Sequence, residues 1–317
     1  MRRARALAPI VAAASLVHGA AGAADRSTAL DAPAPPTLPA LAHPTLTHTL
    51  ELTIASIAKA APAGHATGAG RAFAWFTHNE VEIPLVPRVW YLGAAHDLAA
   101  GAVPGVGRNF FFGSPEIWTR GLWSSVVGLS SGAGFGVVLP LPRFVSSDEI
   151  GVLQTLRVVR PWDSAYFLDR TLTLRPWFDV RHIAGRFILQ LRQGLDVAIV
   201  ARDLAAGERR TDYVARTTFY VGFRAAKALG LGLELWEVYQ ITANLPDDRR
   251  AAFTVSPSVR LLLGRVAPAL SVLFPISTPL RGEASSYFAA RLNVGFDFDT
   301  TRRPKRAPHA LADPGDK

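Results

Sequence analysis

From Leu46 to Phe298 the chain repeats with a period of two. In YFAARLNVGFDFD (287–299) one row is Phe288, Ala290, Leu292, Val294, Phe296 and Phe298, and the other is Tyr287, Ala289, Arg291, Asn293, Gly295 and Asp297. Successive side chains of a β-strand point to opposite faces, so each such segment offers one face to an apolar medium and one to water. The alternation recurs in LTHTLELTI (46–54), RAFAWFTHNEVEI (71–83), RFILQLRQGLD (186–196), DYVARTTFYVGFR (212–224), LGLELWEVYQI (231–241) and FTVSPSVRLLL (253–263). It predicts strands over 46–57, 71–85, 88–97, 115–128, 133–142, 168–182, 185–199, 211–224, 229–241, 251–263, 267–276 and 286–298, about twelve in all and within a range of about ten to fourteen.

The connections between these strands alternate in length. Short ones fall at 86–88, 130–132, 183–184, 227 and 264–265; long ones at 58–70, 98–114, 143–167, 200–210, 242–250 and 277–285. One segment leaves the period: SSDEIGVLQTLRVV (146–159) offers Ser147 as a helix cap, Asp148 and Glu149 in a first turn, and Ile150, Leu153, Leu156 and Val159 spaced by threes. It predicts a short helix inside the longest loop, or a further strand.

After residue 24 the chain has no run of about eighteen consecutive apolar residues, which excludes spanning helices. A chain of this kind enters a membrane only as a closed barrel, because lipid supplies no partner for an open backbone N–H or C=O. A ring of twelve strands encloses too wide a lumen to be filled by apolar side chains alone, so the apolar row faces outward. The expected fold is all-β, an antiparallel up-and-down transmembrane barrel over 46–298. The alternative is a soluble lipocalin-like or sandwich protein with the apolar row inside.

MRRARALAPIVAAASLVHGAAGAA opens with arginines, continues through a short apolar stretch and reaches the small residues Ala21-Gly22-Ala23, the pattern of a cleaved secretory signal over 1–23. Residues 24–45, rich in Pro and Ala, read as a flexible leader, and 299–317 as a basic disordered tail containing RRPKR. There is no cysteine, so a disulfide framework, a thiolate metal site and a lipidated cysteine are all excluded. The net charge of +9 is spread over the signal, the tail and the alternating segments, which together with export argues against a nucleic-acid partner.

The last strand ends on Phe296 and Phe298 of one row. It resembles the C-terminal signal by which Gram-negative outer-membrane β-barrel proteins are recognised for insertion, although here nineteen residues follow the final aromatic. The resemblance implies a place in the bacterial outer membrane after signal cleavage near Ala23, contact with outer-membrane lipid, and the barrel-assembly machinery as partner during insertion. GAGFGVVLPLPR and RVAPALSVLFPIS are also loosely similar to strand and rim segments of transporter-like barrels from aromatic-degradation clusters.

The polar rows supply candidate lumen-lining residues: His78, Glu80, Glu82, Arg175, Asp179, Arg181, Arg186, Arg192, Asp196, Arg216, Arg224, Glu234, Arg260 and Arg291. Such a wall sets ion preference and orients polar solutes, so the expected activity is passive passage of small polar solutes. A closed structural barrel and a lipid-modifying enzyme are the other readings. Phe110, Phe111 and Phe112, in the predicted loop 98–114, are candidates for a plug. Trp75, Trp90, Trp162, Trp177, Phe296 and Phe298, with Trp118 and Trp123, are candidates for the aromatic girdle at the membrane interface. His96-Asp97, and His182 with Asp179, offer a base beside a carboxylate, but no recognisable serine–histidine phospholipase motif accompanies them. No catalytic residue, metal site or cofactor is expected.

Overall fold

The computed structural model describes residues 45–59, 70–126, 128–144, 146–204, 207–243, 249–277 and 284–298. The expected signal, the leader up to residue 44 and the basic tail lie outside the described residues. Among the described residues thirteen strands follow one another: β1 (Leu46–Lys59), β2 (Arg71–Val86), β3 (Trp90–Val103), β4 (Gly107–Phe112), β5 (Glu116–Val126), β6 (Leu129–Val138), β7 (Thr171–Ala184), β8 (Phe187–Val200), β9 (Thr211–Ala226), β10 (Leu229–Gln240), β11 (Ala251–Leu261), β12 (Val266–Pro275) and β13 (Ala284–Phe298). Each pairs antiparallel with its neighbours. β13 meets β1 with Leu46 opposite Phe298, and β2 meets β3, so the sheet closes on itself.

The ring has twelve positions because β4 and β5 share one. β5 pairs with Trp90–Ala95 of β3 and β4 with Leu98–Val103, the chain breaking between them at Gly113–Pro115. The expected long connection 98–114 is therefore a hairpin. β3 continues through LAAGAV, turns at Pro104-Gly105-Val106 with Gly105 at φ 73°, and returns as β4. Small residues at 99 and 101 hid this half of the strand from the periodicity, and packing inside the barrel explains why they are small.

Side chains sort by face as the period of two requires, and the faces are inverted relative to a soluble protein. Leu189, Leu191, Leu231, Leu233, Leu235, Val259 and Leu292 are exposed on the outside, while Arg120, Glu234 and Arg291 are buried inside. A soluble barrel would bury the first set. The outer band carries aromatics at both ends: Trp75, Phe110, Phe112, Phe274 and Phe288 toward the long loops, and Trp90, Trp123, Phe187, Phe296 and Phe298 toward the short turns. Interfacial aromatics of a membrane-spanning barrel are placed in this way.

Large inner side chains lie flat on the wall where the neighbouring strand has glycine. A Cβ at Gly134 would overlap the Trp177 ring, whereas one at Gly295 would have as its nearest contact the Ala267 carbonyl at 3.9 Å. Gly134→Ala should therefore lower stability by about 1–3 kcal/mol through overpacking, with Gly295→Ala close to neutral. Urea titration of the heat-modifiable gel band measures both; equal midpoints would contradict this account.

Candidate functional site

The residues joining β6 to β7 fold back into the barrel from its long-loop end. They contain α1 (Ser147–Arg157) and a 3-10 helix, Pro161–Phe167. The helix cap is Ser146, one residue before the expected Ser147: its hydroxyl accepts from Glu149 N at 3.1 Å while Glu149 returns a carboxylate to Ser146 N at 3.0 Å. This reciprocal box satisfies two N-terminal donors. Val152, Leu153 and Leu156 then form the buried face, with Leu156 seated over Gly101 of β3.

The inward rows change character along the barrel. Toward the long loops they are apolar, with Ala55, Ile57, Ala72, Ala74, Phe76, Val103, Val238 and Leu273 packed in one cluster with the inserted segment. Toward the short turns they are charged. Trp162 stacks on Trp236 of β10 with ring centroids 4.6 Å apart. Arg160 reaches Glu51 of β1 at 3.0 Å and Asp163 at 2.5 Å, Arg175 of β7 donates to the Trp162 carbonyl at 3.2 Å, and the Tyr166 hydroxyl donates to Glu116. The segment is thus held by apolar packing above and by ionic tethers below.

Burial favours the neutral form of both acidic tethers, and their neighbours decide opposite outcomes. It pushes the Asp163 carboxyl up, but Arg160, with His78 and Arg175 beyond, outweighs this and holds it below the usual carboxylate range. Burial and Glu116 push the Tyr166 hydroxyl well above its ordinary value, so it stays a donor. A depressed carboxylate contributes stability above its unfolded pKa and loses it as pH falls through the folded value. Acidification below about pH 4 should loosen the segment, and Asp163→Asn should remove that part of the response. Fluorescence of the Trp162–Trp236 stack between pH 7 and 3 measures it; superimposable curves for the two proteins would refute it.

Below the segment, long side chains run along the wall across several strands. Arg291 of β13 passes Ser271 of β12 (2.8 Å) and Ser256 of β11 (3.1 Å) to reach Glu234 of β10 at 2.6 Å. Arg120 of β5 crosses the Tyr91 ring of β3, 4.4 Å from its centroid, to bind Glu82 of β2 through two nitrogens at 2.5 and 2.8 Å. Arg175 joins Glu116 of β5 (2.7 Å) to Asp196 of β8 (3.1 Å) above Gly136. Serine and glycine on the intervening strands leave the room for these spans.

The charges divide across the ring. β1–β3 carry Glu51, His78, Glu80, Glu82 and Asp97 inward, with His78 Nδ1 and Asp97 Oδ1 2.5 Å apart. About half the ring away, β7–β9 carry Arg175, Arg181, Arg192 and Arg216 with Asp179 and Asp196.

Several expected positions are corrected. Arg186 sits exposed in the 185–186 turn and not in the lumen, whereas Arg224 keeps the inward parity of β9 at the short-turn mouth and donates to the Lys227 carbonyl at 3.1 Å. Phe110–Phe112 are not a plug loop: they lie on β4, with Phe110 and Phe112 outward and Phe111 packed inward 5.8 Å from Phe144. Trp162 and Trp177 are not girdle residues. Trp162 is 2% exposed inside the barrel, and Trp177 is on the inner row under the Arg192 guanidinium, 4.0 Å from its ring centroid. Trp118 also faces inward, over Gly93. His96 and Asp97 point to opposite faces and His182 is exposed outside, so those base–carboxylate pairs do not form. The parity of Arg175 and Asp179 already placed Trp177 inside. Glu51, Glu116, Arg120, Arg160, Asp163 and Tyr166 were not anticipated in the lumen; Glu51, Glu116 and Arg120 share their strands' inward parity, whereas the loop residues carried no periodic signal.

The fold and this lumen are those of a closed antiparallel β-barrel with an apolar outer band and a charged interior, the architecture of transmembrane barrels. The chain superposes on the COG4313 outer membrane channel from Pseudomonas putida F1 over 84% of its length and 99% of that protein, with a TM-score of 0.63 and 11% identity. It superposes on the NanC porin over 79% of its length and 100% of that chain, with a TM-score of 0.52 and 10% identity. The toluene transporter TbuX from Ralstonia pickettii matches 80% of this chain and 90% of its own, with 10% identity, but its TM-score of 0.38 carries no argument about substrate. At these identities the likeness is one of fold. No protein-family model matches the sequence, and no curated protein matches it.

Proposed function

We propose that the barrel is a passive outer-membrane channel for small polar solutes, narrowed by the inserted segment between β6 and β7. The observation that carries this reading is the sorting of inward charge around the ring, with Glu51, Glu80 and Asp97 on β1–β3 and Arg175, Arg181, Arg192 and Arg216 on β7–β9. A barrel that only anchors the envelope has no need of opposed charge across its lumen, whereas a conduit uses the resulting field to orient what passes. On this reading the inward charged residues set ion preference, outer-membrane lipid surrounds the apolar band, and the barrel-assembly machinery inserts the chain after its signal is removed.

The test is single-channel recording of refolded protein in planar bilayers. Discrete, stable current steps are the expected result, with a reversal potential in a salt gradient that shifts when Arg181, Arg192 and Arg216 are replaced together by glutamine. A folded, inserted protein that stays silent would instead make this a closed structural barrel, the reading that the tight filling of the long-loop end favours.

A further inference from the structure

We propose that the outer surface of β2–β4 at the long-loop end is a docking site for a phosphorylated glycolipid of the outer leaflet, held through its headgroup phosphates by Arg71 and Arg108. The inference takes from the outer-membrane reading only that the long connections face the outer leaflet, and it requires no conduction. On β2 the outward row begins Arg71, Phe73, Trp75, and on β4 it reads Arg108, Phe110, Phe112. Each arginine therefore stands one pleat, about 7 Å, beyond the aromatics that mark the edge of the apolar band. Register joins the two rows: Phe73 and Arg108 flank Ala102 of β3, and Trp75 and Phe110 flank Ala100 with ring centroids 5.8 Å apart.

This sector carries positive charge without negative. The chain has no Asp or Glu between Glu51 and Glu80 or between Asp97 and Glu116, and those four acids face the lumen. The long connections after β6, β8, β10 and β12 each contain at least one acid. Arg71 and Arg108 are exposed, and neither has a carboxylate partner among the described residues. Arg71 Nε donates to Ser56 Oγ of β1 at 2.8 Å, which draws that side chain away from β4 and keeps the two guanidiniums apart. Two separated cations match a headgroup that carries a phosphate at each end of a disaccharide, and each guanidinium fork can bind phosphate through two N–H donors. Below them the exposed rings of Phe73, Phe110 and Phe112 offer acyl chains an apolar surface, and membrane-lipid attachment scales with such area plus the attraction of anionic headgroups. Free phosphate would use the arginines and leave these rings bare, so the lipid is the occupant the surface fits.

The probe is diphosphorylated lipid A added to the folded full chain in zwitterionic detergent, with its monophosphorylated form and inorganic phosphate as comparators. Tryptophan fluorescence reports binding, and Trp75→Phe assigns the signal to this face. A saturable change is expected, weaker by about tenfold or more for the monophosphorylated lipid and for Arg71→Gln/Arg108→Gln. Raising salt from about 0.05 M to about 0.5 M should weaken wild-type binding through screening. The inference is overturned if the two lipids bind alike, if salt has no effect, or if the double variant, still heat-modifiable on gels, binds like the wild type. Displacement of the lipid by an equal concentration of inorganic phosphate would also overturn it, making the arginines a site for free anions. A protein that binds the lipid but conducts nothing would overturn the channel reading and leave this site standing.

Discussion

Removing the inserted segment should raise single-channel conductance several-fold. Val138 and Thr173 are paired neighbours on β6 and β7, so a short glycine–serine link can replace residues 146–167 and join the strands as an ordinary hairpin. The wall itself would be untouched, because the strand pairings close the ring without the segment. A ring of twelve strands has a lumen wider than its side chains fill, and the apolar cluster shows what fills the long-loop end. Stability should fall at the same time, since burying a side chain such as Leu153 or Leu156 contributes roughly 1.5–3 kcal/mol; the heat-modifiable band must therefore be checked before recording. Arg160→Gln is the gentler companion. It removes the contacts to Glu51 and Asp163 while keeping the Trp162–Trp236 stack, and should give brief openings in place of a permanently larger pore. Unchanged conductance in both variants would show that the segment does not narrow the path.

The second large effect concerns the wall. Glu234 and Arg291 are each 0% exposed, and the arginine side chain ties β13, the strand that closes the ring against β1, to β10 across two intervening strands. Replacing Arg291 by Met leaves Glu234 buried without that guanidinium, and cutting one member of a buried pair costs about 3–5 kcal/mol. Replacing both, Arg291→Met with Glu234→Gln, removes the charges together and should recover most of the loss. Urea midpoints of the folded band for the wild type, the single and the double variant form the cycle. A single variant as stable as the wild type would mean that water or a rearranged neighbour compensates Glu234, and that the long span is incidental.

Much of this architecture was legible along the chain because a membrane barrel writes it locally. Each strand must show alternating faces, so Phe288, Leu292 and Phe296 on one row and Arg291 and Asn293 on the other fixed outward and inward before any partner was known. The alternation of short and long connections anticipated the twelve-position ring, and the outward row of β13 fell as expected. The misreadings have equally local causes. Ala99 and Gly101 make the second half of β3 resemble a loop, and tryptophan in Arg-Pro-Trp suggests an interface residue although the parity of its neighbours puts Trp177 inside.

What the chain by itself determined is the polarity of each face, since side-chain direction in a strand depends only on the backbone period. Which polar residues meet was decided by the tertiary structure alone. Arg291 finds Glu234 three strands away, Arg120 finds Glu82 over Tyr91, and Arg160 drops from a loop onto Glu51, because closing and tilting the sheet sets distances that no sequence separation encodes. The folding of the segment between β6 and β7 into the lumen belongs to the same class. A helix was one of the two readings its spacing allowed, with the cap one residue away from the expected Ser147, but its destination depended on small inward residues of β1–β3 leaving room at one end of a ring that exists only once all twelve positions are filled.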